Sequence, residues 1–132
     1  MSFNSRSETQ FKVTHDWNDV ELTVSIDFNV ISVAQLKEYV ENHFDCPKNL
    51  SPTDDAIIDV FLKILARTCF RISLFNDLTV EGLRDYFNNA VEWGAELFPP
   101  MDGSKGILIE SFTFDSLDDS LFEISRWATH VR

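Results

Sequence analysis

The sequence predicts an α+β fold of order ββαααββ, in which an antiparallel sheet made from N- and C-terminal hairpins packs on three helices. Three observations carry this expectation. Residues 11–30 alternate apolar and polar side chains with a period of two; capping signals in the middle of the chain open helices, one of them long and apolar over 52–75; and a β-branched and aromatic run, Ile107 to Phe114, precedes a second alternating segment. The chain divides into a flexible N-terminus, 1–10, and a single domain, 11–132.

In the first hairpin Phe11, Val13, His15 and Trp17 share one face, and after the Asn18-Asp19 turn so do Val20, Leu22, Val24, Ile26, Phe28 and Val30. The other face of the second strand carries Glu21, Thr23, Ser25, Asp27 and Asn29, which suits an antiparallel sheet wet on that side. Ser32, with Gln35 three residues on, is a capping-box start, and Val33, Leu36, Tyr39, Val40 and Phe44 follow at helical spacing; this helix is expected to end near Phe44, before Cys46-Pro47. Ser51-Pro52 reads as a cap with proline at the first helical position, and Asp54 and Asp55 suit the first turn. The helix it opens has its charges in one row, Asp55, Asp59, Lys63, Arg67 and Arg71, as a central and mostly buried helix would. Thr79 caps a third helix, with Leu78 and Leu83 as a staple and Tyr86-Phe87 inward. Pro99-Pro100 and Asp102-Gly103 keep the second half of Val91–Gly106 irregular, and after Ile107–Phe114 the run Leu121–Ile124 is expected to close a hairpin.

An apolar fraction of 44% with 13% aromatics, twelve of them Phe, is far richer than an acidic disordered tail would be. The charge of −11 is therefore displayed on a folded domain. Met1 to Ser7 holds no apolar run of signal-peptide type and no stretch reaches about 18 uncharged apolar residues, so a soluble cytoplasmic protein is expected. Cys46 and Cys69 are read as reduced thiols, Cys69 as a small core residue.

The acidity is uneven. Residues 1–45 hold eight acids and three bases, 46–75 three acids and four bases, and 76–132 eleven acids and four bases, giving −5, +1 and −7. Lys63, Arg67 and Arg71 are expected to meet acids from neighbouring elements, with Asp59 and Lys63 as an i,i+4 pair. The candidate acidic surface comprises Glu38, Glu41 and Asp45, placed on one helix face by their spacing, together with Glu92, Glu96, Asp115, Asp118 and Asp119. A DNA duplex spanning about 36 Å, the diameter of a domain this size, shows about 21 charges at one per 1.7 Å. A net charge of −11 is about half of that, so imitation of nucleic acid requires the acids to be sorted onto one face; an evenly acidic surface that only confers solubility is the alternative.

Catalytic patterns are weak. His15, His43 and His130 stand apart from each other and from the cysteines, so neither zinc nor any other metal is expected; His15 reads as a half-buried strand residue. Asp102-Gly103-Ser104-Lys105-Gly106 lacks the spacing and following helix of a phosphate-binding loop and reads as a tight turn. The carboxylates at Asp115, Asp118 and Asp119 lack the glycine and terminal Glu of a calcium loop. No catalytic residue and no cofactor are assigned, and there is no basic stripe for direct nucleic-acid binding.

Phe98-Pro99-Pro100-Met101-Asp102-Gly103-Ser104-Lys105-Gly106-Ile107, taken with the alternating strand Val20–Asp27, resembles a proteobacterial and phage family, domain of unknown function 2528. The resemblance spans about residues 11–125 and implies an α+β fold and a phage-associated context, with no reaction attached. The expectation is a non-enzymatic, phage-encoded interaction protein that binds a basic surface of a nucleic-acid-binding host complex as an inhibitor, of the anti-CRISPR or DNA-mimic type. The alternatives are an immunity protein against a basic toxin and a structural homodimer joined through exposed sheet edges. No membrane partner is expected.

Overall fold

The computed structural model of the chain describes residues 8–15, 18–76, 78–89, 95–114 and 124–131. Alternation is realised as β1 (Glu8–His15) and β2 (Asn18–Asp27), an antiparallel pair whose register sets Phe11 opposite Val24 and Val13 opposite Leu22. Strand pairing thus begins at Glu8 rather than at Phe11. Three helices follow: α1 (Val33–Asn42), α2 (Asp54–Phe75) and α3 (Val80–Asn89). A 3-10 turn at Ala95–Leu97, strand β3 (Ile107–Thr113), a second 3-10 turn at Ile124–Arg126 and strand β4 (Trp127–Val131) complete the order. The fold is α+β with a four-stranded antiparallel sheet, as its sequence predicts.

The sheet order is β3-β2-β1-β4. The closing strand is therefore not the hairpin partner of β3: it lies at the far edge, where Trp127, Thr129 and Val131 face His15, Val13 and Phe11 of β1. Of the expected closing run, Ile124 is in a 3-10 turn and Leu121 to Glu123 fall outside the described residues, as does Trp17. The alternation that pairs belongs to the last five strand residues, which are too few to outweigh the nearer Leu121–Ile124 pattern when sequence is read alone.

One face of the sheet, with Phe11, Val13, Val20, Leu22, Val24, Ile26, Ile107 and Ile109, is buried against the helices. From α2, Ile57, Phe61, Leu62, Ile64, Leu65, Cys69, Phe70 and Ile72 join the same core, and α2 contacts α1, α3, β1 and β4. This is the central, mostly buried helix that its single charged row implies. His15 is fully buried, edge-on to the Trp127 ring at 5.3 Å between centroids, rather than half-buried. On the opposite face Thr23 and Ser25 are also buried. They are small residues on an inner strand, with Lys12 and Gln10 across from them and the Ser25 hydroxyl donating to Glu110, so longer neighbours close over them.

Caps mark the helix ends. Ser32 and Gln35 form the capping box, the Gln35 N–H donating to Ser32 Oγ at 3.2 Å. The helix stops at Asn42, two residues short of Phe44, because His43 turns to an extended conformation. At α2 the cap is Thr53, whose Oγ1 accepts from the Ala56 N–H at 3.3 Å; Ser51 and Pro52 precede the helix instead of starting it. Thr79 accepts from the Gly82 N–H at 3.1 Å. The 102–106 turn is the tight turn expected: Gly103 and Gly106 have φ of 89° and 96°, Asp102 Oδ1 accepts from the Ser104 N–H, and the Gly106 carbonyl accepts from the Asp27 N–H at 2.8 Å. A β-carbon on Gly106 would come within 3.0 Å of Val30 and Ile31, so this crossing requires glycine.

Candidate interaction surface

The chain segment leaving α1 brings Asp45 under α2. Arg67 and Arg71, one turn apart on α2, both reach its carboxylate, at 2.9 and 3.4 Å, and all three side chains are largely withdrawn from water, at 11% exposure for Asp45 and 17% for each arginine. Asp45 thus leaves the acidic surface predicted from spacing. It lies beyond the end of α1, not on the Glu38–Glu41 face, and its charge is spent inside the fold. This is the meeting of α2 cations with a neighbouring acid that the charge row implies; Lys63 pairs instead with Asp59 on its own helix, at 3.0 Å. Burial, and next the adjacent Arg71, draws the Arg67 pKa down, and Arg67 Nε is buried with no hydrogen-bond partner among the described residues.

His43 sits beside this group and is 4% exposed. Its Nδ1 accepts from the Asp45 N–H at 3.0 Å, which places the proton of the neutral ring on Nε2. Burial lowers its pKa most, and Arg71 and Arg67 lower it further against the pull of Asp45 and Glu96. The 3.8 Å approach of Nδ1 to Asp45 Oδ2 is therefore not an ion pair at neutral pH. Phe44, 61% exposed, lies on the His43 ring, and the Arg71 guanidinium stands 5.6 Å from the Phe44 ring centre, so the second cation is also held by an aromatic face.

Glu38, Glu41 and Glu96 are exposed. Glu38 borders a shallow polar depression of about 220 Å³ with Gln35, Tyr39 and Asn42, and Glu41 reaches Lys37 only loosely, at 4.0 Å. Glu96, on the 3-10 turn far along the chain, is brought near His43, close to the end of α1. Glu92, Asp115, Asp118 and Asp119 lie outside the described residues. Elsewhere Asp54, Asp55, Glu81 and Asp85 are exposed and pair with no base among the described residues.

A groove that sequence reading did not find runs between the N-terminal half of α2 and β4. Its volume is about 400 Å³; Asp55, Ile58 and Asp59 form the helix wall, Thr9, Phe11, Thr129 and Val131 the sheet wall, and Phe28 one end. Asp55 and Asp59 are visible in the charge row of α2, yet the groove depends on β4 lying beside β1, a pairing between the two ends of the chain. Among the described residues no group of three or more His, Cys, Asp or Glu is arranged to hold a metal ion, and no helix is long and apolar enough to cross a membrane. Cys69 is fully buried and burial pushes its thiol pKa far up; Cys46 is a free thiol raised by burial and then by Glu41.

Residues 21–124, covering β2 from Glu21, all three helices and β3, match the family described as protein of unknown function, DUF2528. The chain belongs to this family. Similar proteins include the lambda prophage-derived protein ea10 of Escherichia coli O6:H1 and protein ea10 of Escherichia phage lambda, each 25% identical over 111 residues that cover 84% of this chain and 89% of theirs. No solved structure matches this DUF2528 chain.

Proposed function

We propose that this DUF2528 member is a phage-borne, cytoplasmic, non-enzymatic protein that binds a basic surface of a nucleic-acid-binding host complex and inhibits it. The observation that carries the reading is how the charges are used. Lys12, Lys37, Lys63, Arg67 and Arg71 are taken up by acids of the same chain, while Glu38, Asp54, Asp55, Glu81, Asp85 and Glu96 stay exposed and unpaired among the described residues. A surface left in this state attracts a cationic partner at long range, speeds its association and repels polyanions. The lambda and prophage origin of the relatives supports the phage context.

The test is to retain host proteins on the immobilised chain at low salt, elute at high salt, purify the retained species and measure their affinity directly. A basic, nucleic-acid-binding partner whose affinity falls steeply with salt is expected. An affinity unchanged by salt, or a partner without a basic surface, would sink the reading.

A further inference from the structure

We propose that the groove between α2 and β4 receives an extended segment of a partner protein, carrying alternating apolar and Lys or Arg side chains, that adds to β4 as a further strand. The proposal rests on the reading of the chain as an acidic binding protein and names where and how it binds.

The two edges of the sheet are treated differently. At β3 the chain closes its own edge: the Gly103 N–H donates to the Ile107 carbonyl at 2.8 Å, the Ile109 N–H to the Met101 carbonyl at 3.0 Å, and Arg84 Nε to the Ile109 carbonyl at 2.8 Å. β4 pairs with β1 on one side and, among the described residues, with nothing on the other. An edge with free N–H and C=O groups is a template for another strand.

Side-chain chemistry names the occupant. Along β4 the residues in register with Phe11, Val13 and His15 face the helix layer, and the last of these, Val131, is 69% exposed at the mouth of the groove. Every second side chain of an added strand would point the same way. It would lie beside Thr129 and Val131 of β4 and face the helix wall of Asp55, Ile58 and Asp59. Asp55 has no base of its own among the described residues and Asp59 shares only Lys63, so the wall can take a cation whose methylene stem lies along Val131 and Ile58. A second copy of this chain is a poor occupant, since each would bring a charge of −11 to the contact.

The probe is a labelled peptide of alternating lysine and valine, compared with a block isomer of the same composition on the full chain. The alternating peptide is expected to bind more tightly and to slow amide exchange over Trp127–Val131. Asp55→Asn with Asp59→Asn should weaken it about fivefold, while Glu81→Gln with Asp85→Asn on α3, which remove the same charge outside the groove, should leave it nearly unchanged. Equal losses from both pairs, equal binding of the two isomers, no binding, or no protection of β4 would overturn the groove and leave the acidic-binding reading standing. That reading falls as well if binding is indifferent to salt.

Discussion

Asp45 holds two guanidinium groups on one carboxylate that water barely reaches, and that arrangement decides what its removal does. Exposed pairs such as Lys12–Glu21, at 2.9 Å and with both partners at least a third exposed, contribute at most about 1 kcal/mol. Asp45→Asn instead leaves Arg67 and Arg71 facing each other in a desolvated place, and a loss of about 2–4 kcal/mol is expected in urea unfolding. A change below 1 kcal/mol, on the scale of an exposed pair, would show that water reaches this carboxylate more than its burial indicates. His43, next to it, makes folding sensitive to pH. Its folded pKa is depressed, chiefly by burial, whereas the unfolded chain takes up a proton near the ordinary histidine value of about 6.5. Below that value the unfolded state binds more protons than the folded one, so the histidine's contribution is intact above about pH 6.5 and is lost as pH falls toward the folded pKa. His43→Asn, whose amide oxygen can still accept from the Asp45 N–H, should flatten the stability profile between about pH 7 and pH 5; an unchanged slope there would place the titration on another group. Composition and spacing imply an acid for the α2 cations but place Asp45 on the surface, because helical spacing carried past Asn42 reaches a residue that the chain turns inward.

At the scale of elements, short-range signals were legible and long-range pairing was not. Ser32 with Gln35 and Thr79 before α3 cap their helices as read, since a cap is a contact between residues two or three apart. Within Ser51-Pro52-Thr53 the sequence offers two hydroxyls, and proline at the first helical position favours the earlier one. The structure uses Thr53, which leaves Asp54 and Asp55 as the first helical residues where the dipole favours carboxylates. Thr53→Ala is accordingly expected to cost about 1 kcal/mol, and Ser51→Ala, which removes a contact only to Thr53 itself at 3.4 Å, a few tenths at most. Thermal unfolding of the two variants checks this, and an equal or reversed order would return the cap to Ser51. β4 marks the opposite limit: five residues with alternation too short to compete with the Leu121–Ile124 pattern are placed by Phe11, Val13 and His15 more than a hundred positions earlier. Because the groove is bounded by that pairing, the Asp55 and Asp59 wall could be read in advance but not what faces it.

Over the whole molecule two electrostatic effects oppose each other as salt is added. Screening weakens the exposed pairs Lys12–Glu21, Lys37–Glu41 and Lys63–Asp59, each contributing at most about 1 kcal/mol, and leaves the Asp45 group less affected because water and ions reach it poorly. The same screening relieves the repulsion among the surplus acids of a chain carrying −11, a repulsion the expanded unfolded chain feels less. Like-charge contacts are built into the fold: Glu8 stands opposite Asp27 in the β1–β2 register, and Asp54 adjoins Asp55 at the head of α2. With five bases already committed to partners and the unpaired acids spread over α1, α2 and α3, the repulsive contribution outweighs three weak pairs. The melting temperature should therefore rise as ionic strength goes from about 0.01 M to 0.1 M, where the screening length falls from about 30 Å to 10 Å. A melting temperature that fell over this range would mean that the pairs, not the surplus, dominate the response of folding to salt.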